Sequence, residues 1–189
     1  VSSNTALIYL NCWDNYLTSL NVMNNTSLDT LDCGKNLLGS LDVTQNTSLI
    51  FLRCFINQIT SLDVSQNTLL NVLRCSANQL TVLDVSQNTA LTWLACDGNG
   101  LSSLNLNQNI YLDEITCYNN QLTTLDLSQN TTLTYLRCYN NQLTSLDVRN
   151  GNNINVIDFN TINNPSLTCI NVDDSTWSFN NWTVANGVL

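Results

Sequence analysis

Histidine is absent from this sequence of 189 residues, and basic side chains are scarce, with five against 14 acidic ones. Without histidine, the chain cannot build a Ser-His-Asp triad or a histidine-bound metal site. The net charge of −9 argues against nucleic acid as a partner, because that contact needs a basic surface. No apolar run is long enough to cross a bilayer, so we do not expect a membrane-spanning protein.

What is present is a repeat of 21 residues, clearest in residues 70–90, which read LNVLRCSANQLTVLDVSQNTA. Its pattern is L-x-x-L-x-C-x-x-N-x followed by L-x-x-L-x-V-x-x-N-x-x, and we number its positions 0 to 20 from the first leucine. A fixed period of this length predicts a solenoid. Seven full repeats begin at Leu7, Leu28, Leu49, Leu70, Leu91, Leu112 and Leu133.

Each half of the repeat has the periodicity of a short strand. Apolar residues stand two positions apart, as Leu73 and Cys75 do, and each half then turns at an asparagine, Asn78 or Asn88 in this copy. We expect these asparagines to point inward and to hydrogen-bond turn amides that are hidden from water. The sequence therefore predicts a repeat solenoid, mainly parallel β. Its first half is a strand, and its second half is a short strand or a 3₁₀-like segment.

The predicted organisation is one domain in four parts. Residues 1–6 end a truncated coil, 7–153 hold the seven regular repeats, 154–172 form a degenerate eighth repeat, and 173–189 form a C-terminal cap. Trp177, Phe179 and Trp182 cluster in the last part, as expected where the end of a solenoid core must be covered.

The eighth repeat is read from Ile154 as position 0. Phe159 then falls in the cysteine position and Ile162 in the asparagine position, while Leu167 and Cys169 fall where the second-half leucine and valine belong.

Seven of the eight cysteines occupy position 5, namely Cys12, Cys33, Cys54, Cys75, Cys96, Cys117 and Cys138. Stacked coils would bring neighbouring Cα atoms to about 4.8 Å, which allows disulfides by distance, although side chains in register point the same way. A metal site is a further alternative, but the cysteines are not clustered and no histidine is present. The pattern best fits a column of buried free thiols that act as small apolar side chains.

These residues resemble the leucine-rich repeat family, in its bacterial 21-residue class with two similar halves. The resemblance runs from Leu7 to the region of Leu167, and the cysteine column is similar to that of internalin-type surface adhesins. The segment Asn164–Asp174, NPSLTCINVDD, with the later Asn181, Trp182 and Thr183, resembles the ending of secreted leucine-rich repeat proteins of type IX-secreting bacteria. The resemblance implies a secreted or surface-attached bacterial protein without catalysis.

The outward positions of the second half vary little between coils, and we call them the acidic face. Position 14 carries Asp42, Asp63, Asp84, Asp126 and Asp147, interrupted by Asn105. Calcium held between these carboxylates is one interpretation, but it needs six to eight oxygens. The other is that each aspartate bonds a nearby hydroxyl or backbone amide.

The outward positions 2, 4, 6 and 7 of the first half differ, and we call them the strand face. They hold eight of the 14 aromatic residues and four of the five basic ones. Aromatic residues suit strands in general, but the same preference yields none on the acidic face. Because aromatic and arginine side chains dominate interface hot spots, we predict a ligand-binding face. Its residues are Tyr9, Trp13, Phe51, Arg53, Phe55, Arg74, Trp93, Tyr118, Tyr135, Arg137 and Tyr139.

Three arginines share position 4 of this face. Arg53 neighbours Asp32, and Arg137 neighbours Asp158, so both are expected to be paired. Arg74 has Arg53 on one side and Ala95 on the other, and it is the better candidate for an anionic ligand group.

The leading functional hypothesis is a binding or adhesion module for a protein or a glycan, with no catalytic residue, metal or cofactor. The alternative is a structural subunit that associates end to end through bare strand edges into a filament. An enzyme is the third hypothesis. It would have to rely on carboxylates such as Asp97 and Glu114 acting on a glycan, because an activating base for the thiols is missing.

Overall fold

The computed structural model describes residue 1 and residues 3–182, and it is a solenoid whose first-half strands form one parallel sheet. Each strand covers positions 2 to 4 of its repeat and pairs in register with the strand of the next coil. The prediction of a first-half strand is therefore confirmed. In sheet order, the eight strands are β1 (Tyr9–Asn11), β2 (Thr30–Asp32), β3 (Phe51–Arg53), β4 (Val72–Arg74), β5 (Trp93–Ala95), β6 (Glu114–Thr116), β8 (Tyr135–Arg137) and β10 (Asp158–Asn160).

The second half of the coil is less regular. A second parallel sheet of three strands contains β7 (Thr124–Asp126), β9 (Ser145–Asp147) and β11 (Ile170–Asn171), with β9 in the middle. In the five preceding coils the same segment forms bends and turns without strand pairing. One 3₁₀ turn, Asn153–Asn155, lies among the described residues, between the seventh and eighth coils.

The core is a column of inward-facing leucines from both halves of the repeat, together with the cysteines of the first half and the valines of the second. Leu70, Leu73, Cys75 and Leu80 are all fully buried in the fourth coil, because alternate residues of a strand point inward together. The cysteine column is buried and unpaired from Cys33 to Cys138. Cys12 lies in the first coil, whose strand is at the edge of the sheet, and it is only half-buried. Burial raises the pKa of each thiol in this column.

The two asparagine ladders are not equivalent. The Asn78 amide donates to the carbonyls of Cys54 and Cys75, and its Oδ1 accepts from the Ile59 amide. In the second half, Asn88 also donates to two carbonyls, but its Oδ1 is buried without a hydrogen-bond partner. The prediction that turn amides are satisfied is therefore confirmed for the first ladder, whereas the second ladder serves carbonyls alone.

The predicted register of the eighth coil is wrong by two residues. Phe159 pairs with Leu136 and so takes the leucine position, and Thr161, rather than Phe159, is buried in the cysteine position. Asn164, rather than Ile162, joins the asparagine ladder, since its Oδ1 accepts from the Leu143 amide. The extra residues lie around the 3₁₀ turn, and they leave Ile154 and Ile157 exposed.

A third extra residue precedes β11 and corrects the assignment of Cys169. Ile170 pairs with Leu146, so Ile170 takes the second-half leucine position that Leu167 was expected to hold. Because neighbouring residues of a strand face opposite sides, this odd shift leaves Cys169 exposed.

Near the end of the described residues lies the helix α1 (Ser175–Asn181). Asp174 caps its N-terminus, since the Asp174 side chain accepts from the amides of Thr176 and Trp177. Trp182 is buried and stacks on Phe159 at 4.1 Å between ring centroids, and Trp177 meets it edge-on. Phe179 is exposed. Residues 183–189 of the predicted cap lie outside the described residues, and α1 is far too short to cross a bilayer, as is every other helix in the described part.

Candidate functional site

The in-register sheet arranges the strand face in three parallel rows. We name them the edge row (position 2), the middle row (position 4) and the turn row (position 6). Backbone bonds such as that from the Ile56 amide to the Ser76 carbonyl extend the register to the turn row. Side chains from neighbouring coils therefore lie side by side within each row.

The eleven predicted ligand-binding residues all lie on this face. Tyr9 and Trp13, in the first coil, are exposed, and the other nine are half-buried. Several of them contact one another across coils, Arg74 with Phe55 and Trp93, and Tyr118 with Tyr139. The surface is therefore an array in which neighbouring coils share side-chain contacts.

Arg74 lies at the centre of this array, between two aromatic rings. Its guanidinium carbon is 5.0 Å from the ring centroid of Phe55 in the turn row and 4.9 Å from that of Trp93 in the edge row. Within residues 1 and 3–182 it forms no salt bridge, which agrees with its interpretation as the unpaired cation. We call the three residues the Arg74 clamp.

Gly34 makes room for one wall of the clamp. A Cβ atom at this position would lie 2.6 Å from Cε1 of Phe55, closer than any real contact. The Phe55 ring therefore lies over the backbone of the preceding coil. Arg74, from the following coil, stacks on this ring. The sequence indicates this close packing, because position 6 is glycine in the second repeat and a larger residue in the other six regular repeats.

The other cations of the face are already engaged. Lys35 lies 4.6 Å from the ring of Trp13, and Arg53 contacts Asp32 at 3.6 Å. Arg137 stacks on Tyr135 and bonds Asp158 at 2.9 Å. Both predicted arginine pairs are thus present, the second despite the shifted register of the eighth coil.

A hydroxyl network surrounds Asp97 in the turn row. Its Oδ1 accepts from Ser76 Oγ at 2.8 Å and from Thr116 Oγ1 at 2.9 Å. Tyr118 stacks on Tyr139 at 4.4 Å, and burial, together with the nearby Asp97, raises the pKa of Tyr118 to about 12. The sequence reasoning did not identify Ser76 and Thr116, although their positions in neighbouring coils place them beside Asp97.

Position 7 adopts the left-handed conformation in every coil, including Ile56 with φ of 51°. Glycine and asparagine at Gly98, Asn119 and Asn140 were the sequence signal for it.

Exposed apolar residues beside the edge row were also missed. Ile50 stands immediately before Phe51, and Leu69, Ile110 and Tyr111 occupy the turn that leads into the strands. They widen the apolar part of the strand face.

The aspartates of the acidic face hydrogen-bond to residues of their own turns. Asp63 and Asp84 accept hydrogen bonds from the amides of Ser65 and Ser86, and Asp42 accepts from both the amide and the hydroxyl of Thr44. These bonds lower the pKa of the three carboxyls. No group of three or more potential metal ligands occurs in the part of the chain that the structure describes.

No protein-family model matches the sequence, and no curated protein is significantly similar to it. Solved structures do match. The functional domain of InlJ from Listeria monocytogenes, which includes a cysteine ladder, is 36% identical with a TM-score of 0.68 over 89% of this chain. This chain is a leucine-rich repeat protein. A leucine-rich repeat protein of Leptospira interrogans is 25% identical with a TM-score of 0.79 over 95% of the chain.

The leucine-rich repeat chain spans less than half of these two structures, 44% of the Listeria chain and 47% of the Leptospira chain. The fold is also that of the receptor kinase ectodomain GASSHO1/SCHENGEN3 from Arabidopsis thaliana, solved in complex with Casparian strip integrity factor 2. That match has 18% identity and a TM-score of 0.69, and it covers 91% of this chain and 27% of that one.

Proposed function

We propose that this leucine-rich repeat chain is a non-catalytic binding module, secreted or displayed on a cell surface, that binds a protein partner through the strand face. The observation that carries the proposal is the Arg74 clamp, an arginine without a salt bridge in the described part of the chain and fixed between two aromatic rings.

The composition and geometry of the clamp are those of an interface hot spot. Arginine and tryptophan supply a large share of binding free energy where they are held in well-packed surroundings. Because the Phe55 and Trp93 rings already restrict Arg74, little side-chain entropy is lost when a partner contacts it.

The clamp also favours a partner with hydrogen-bond acceptors. Arg74 is half-buried and makes no salt bridge in the described part of the chain, and its guanidinium offers a planar pair of donors to a carboxylate of a docked protein.

The acidic face serves as an internal contrast. Its aspartates are occupied by bonds to their own turns, and its pattern hardly changes between coils, whereas each coil of the strand face carries different side chains. Variation on one side of a uniform scaffold is what a specific recognition surface requires.

The comparisons support this proposal at the level of the fold. The Arabidopsis ectodomain, solved in complex with a named factor, is an example of such a solenoid with a bound partner. The placement outside the cell rests on the resemblance to bacterial surface adhesins and secreted leucine-rich repeat proteins.

A surface-protein binding screen with the whole chain tests the proposal. With the partner it finds, Arg74→Ala and Trp93→Ala should each weaken binding by about 30-fold, as hot-spot residues do. The matched control is Asp63→Asn with Asp84→Asn on the acidic face, which should leave affinity unchanged. Binding that survives the first two changes and fails in the control would place the working surface on the acidic face.

The same screen separates the alternatives. Binding to immobilised glycans but to no protein would support the glycan alternative. Particle size that grows with protein concentration would support the filament-forming structural subunit.

A further inference from the structure

Two positions of the turn that leads into the strands carry hydroxyl residues in many coils. Position 19 is threonine in five of the seven regular repeats, and position 20 is serine or threonine in three. In the third and fifth repeats, large apolar residues stand there instead, namely Leu69, Ile110 and Tyr111. These residues are 55%, 42% and 57% exposed, so the core does not require them. We call the three residues the turn patch.

The solenoid forms the same turn with polar residues elsewhere. At position 20 of the sixth repeat, the hydroxyl of Thr132 donates to the carbonyl of Leu112, 20 residues earlier, at 3.0 Å. A hydroxyl at this position thus joins the turn to the neighbouring coil. Leu69 cannot make this bond, and the Tyr111 hydroxyl makes no hydrogen bond within residues 1 and 3–182. Exposed apolar side chains where the repeat uses hydroxyls therefore indicate contact with another molecule.

The turn patch is one surface because the coils stack in register here. The side-chain amide of Asn88 donates to the carbonyl of Asn67 at 2.8 Å, and the same bond joins the next two coils. Leu69 and Tyr111 each follow the ladder asparagine of their repeat by two residues. They therefore lie in one row, about 10 Å apart, with the short side chain of Ala90 between them.

The turn patch occupies the same three coils as the Arg74 clamp. Phe55 belongs to the third repeat, Arg74 to the fourth and Trp93 to the fifth. Leu69 precedes Arg74 by five residues, so the two lie no more than about 18 Å apart, measured along the strand direction. A partner surface of ordinary size covers both.

The charges around the two sites differ. Arg53 and Arg74 are in-register neighbours in the middle row, and they favour an acidic group above them. Asp113 and Glu114 directly follow Tyr111, so the sixth-coil end of the turn patch repels an acidic group. The acidic group of a partner is therefore placed over the arginines, and its apolar side chains over the turn patch.

Building on the proposed function, on which this inference rests, we propose that the turn patch is a second contact site for the same protein partner. It receives large aliphatic or aromatic side chains of a linear segment that also carries an acidic residue to Arg74. The segment follows the direction of the strands across β4 and β5, with its apolar part over the turn patch and its acidic part over the clamp. Charge complementarity at Arg74 and the shared coils carry this assignment.

A library of random dodecapeptides displayed on phage tests the inference, with the whole chain as the target. Selected peptides should combine aspartate or glutamate with a large aliphatic or aromatic residue. Synthetic copies are then titrated against Leu69→Thr, Ile110→Thr and Tyr111→Thr. Each variant should weaken binding by about 10-fold, the loss of one apolar contact. A selection that enriches no peptide, or peptides without acidic residues, overturns the inference.

Val82→Thr is the matched control. Val82 is 73% exposed on the acidic face, at position 12, where the other six regular repeats have serine or threonine. The change removes the same kind of exposed apolar side chain and should leave the affinity for the peptides unchanged. Equal weakening in this control would mean non-specific apolar attraction and would overturn the assignment.

Urea unfolding separates a binding role from a structural one. The three threonine variants restore a residue type that the repeat uses in this turn, so their urea midpoints should equal or exceed that of the unaltered chain. Lowered midpoints in all three variants would assign the turn patch to the stability of the fold and would overturn the proposal.

Arg74→Ala separates this inference from the proposed function. Peptides that lose affinity in Arg74→Ala but keep it in all three turn-patch variants overturn the inference and leave the proposed function standing. Peptides that keep their affinity in both sets of variants overturn both, because they bind neither the clamp nor the turn patch.

Discussion

The side-chain amide of Asn78 donates to the main-chain carbonyl of Cys54, 24 residues earlier, at 3.0 Å. A single side chain thus connects two coils at the place where the chain turns away from the strand. The same connection recurs between Asn57 and Cys33 and between Asn99 and Cys75. Each first-half asparagine is therefore a link between coils as well as a turn residue.

Replacing Asn78 with alanine should lower the free energy of unfolding by about 1–3 kcal/mol, because the buried Ile59 amide loses its acceptor and the carbonyls of Cys54 and Cys75 each lose one of two asparagine donors. Asp84→Asn is the control. It keeps an oxygen that can accept from the Ser86 amide, so its effect should stay within about 0.5 kcal/mol. Urea unfolding measures both, and equal losses would show that the inward ladder does not hold the coils together.

Gly34→Ala should disturb the Arg74 clamp by displacing the Phe55 ring. The new Cβ meets the Phe55 ring, so we expect a loss of about 1–2 kcal/mol in unfolding free energy and a weaker contact between Phe55 and Arg74. Gly39→Ala is the matched control, because nothing lies within 4 Å of its added Cβ, and it should be neutral or slightly stabilising. Thermal melts of the two variants should therefore diverge, and coincident melts would contradict the close packing of Phe55 over Gly34.

Thiol titration should separate the cysteines into three classes. Cys169 is exposed and should react at once in the native protein, and the half-buried Cys12 should react slowly. The six buried thiols from Cys33 to Cys138 should react only after unfolding, because they are shielded and burial keeps them protonated. The count of early-reacting thiols in native protein checks this, and three or more would be inconsistent with a buried column.

Stability should fall in alkaline solution because the buried thiols stay protonated only in the folded state. Their folded pKa values lie above the ordinary 9.0, and that of Cys138 is about 12. Stability is therefore complete below about pH 9 and declines as the pH rises toward the folded values, by up to about 1.4 kcal/mol per pH unit for each thiol. Cys75→Val should flatten the pH dependence of the urea midpoint, and an unchanged slope would refute this origin.

The aspartates of the acidic face should lower the stability of the protein at acidic pH, whereas the thiols lower it at alkaline pH. Hydrogen bonds lower the pKa of Asp42, Asp63 and Asp84, so their contribution is present above the unfolded value of about 4 and is lost as the pH falls through the folded value. A triple Asp→Asn variant keeps the turn acceptor and loses the charge, as Asn105 already does in bonding the Asn107 amide. Its urea midpoint should change less between about pH 5 and pH 3 than that of the unaltered chain. A steeper change would contradict the assignment.

The strands, the buried cysteine column and the local bonding of the aspartates followed from the sequence because they repeat at a fixed spacing. The register of the eighth coil did not. Phe159 is as plausible in the cysteine position as in the leucine position, and an irregular 3₁₀ turn decides between them. The Arg74 clamp also could not be predicted from the sequence, because it joins residues from three coils and three different rows. Its partners depend on side-chain packing that the spacing alone does not define.

The displaced Cys169 gives this solenoid a chemical handle at one end. Because it is the one exposed cysteine of the eight, a maleimide reagent at limiting concentration would attach a dye, a spin label or a solid support there. The point of attachment lies beside β11 in the second sheet, away from the sheet that carries the Arg74 clamp. A chain immobilised through this thiol would present the strand face unmodified to a candidate partner.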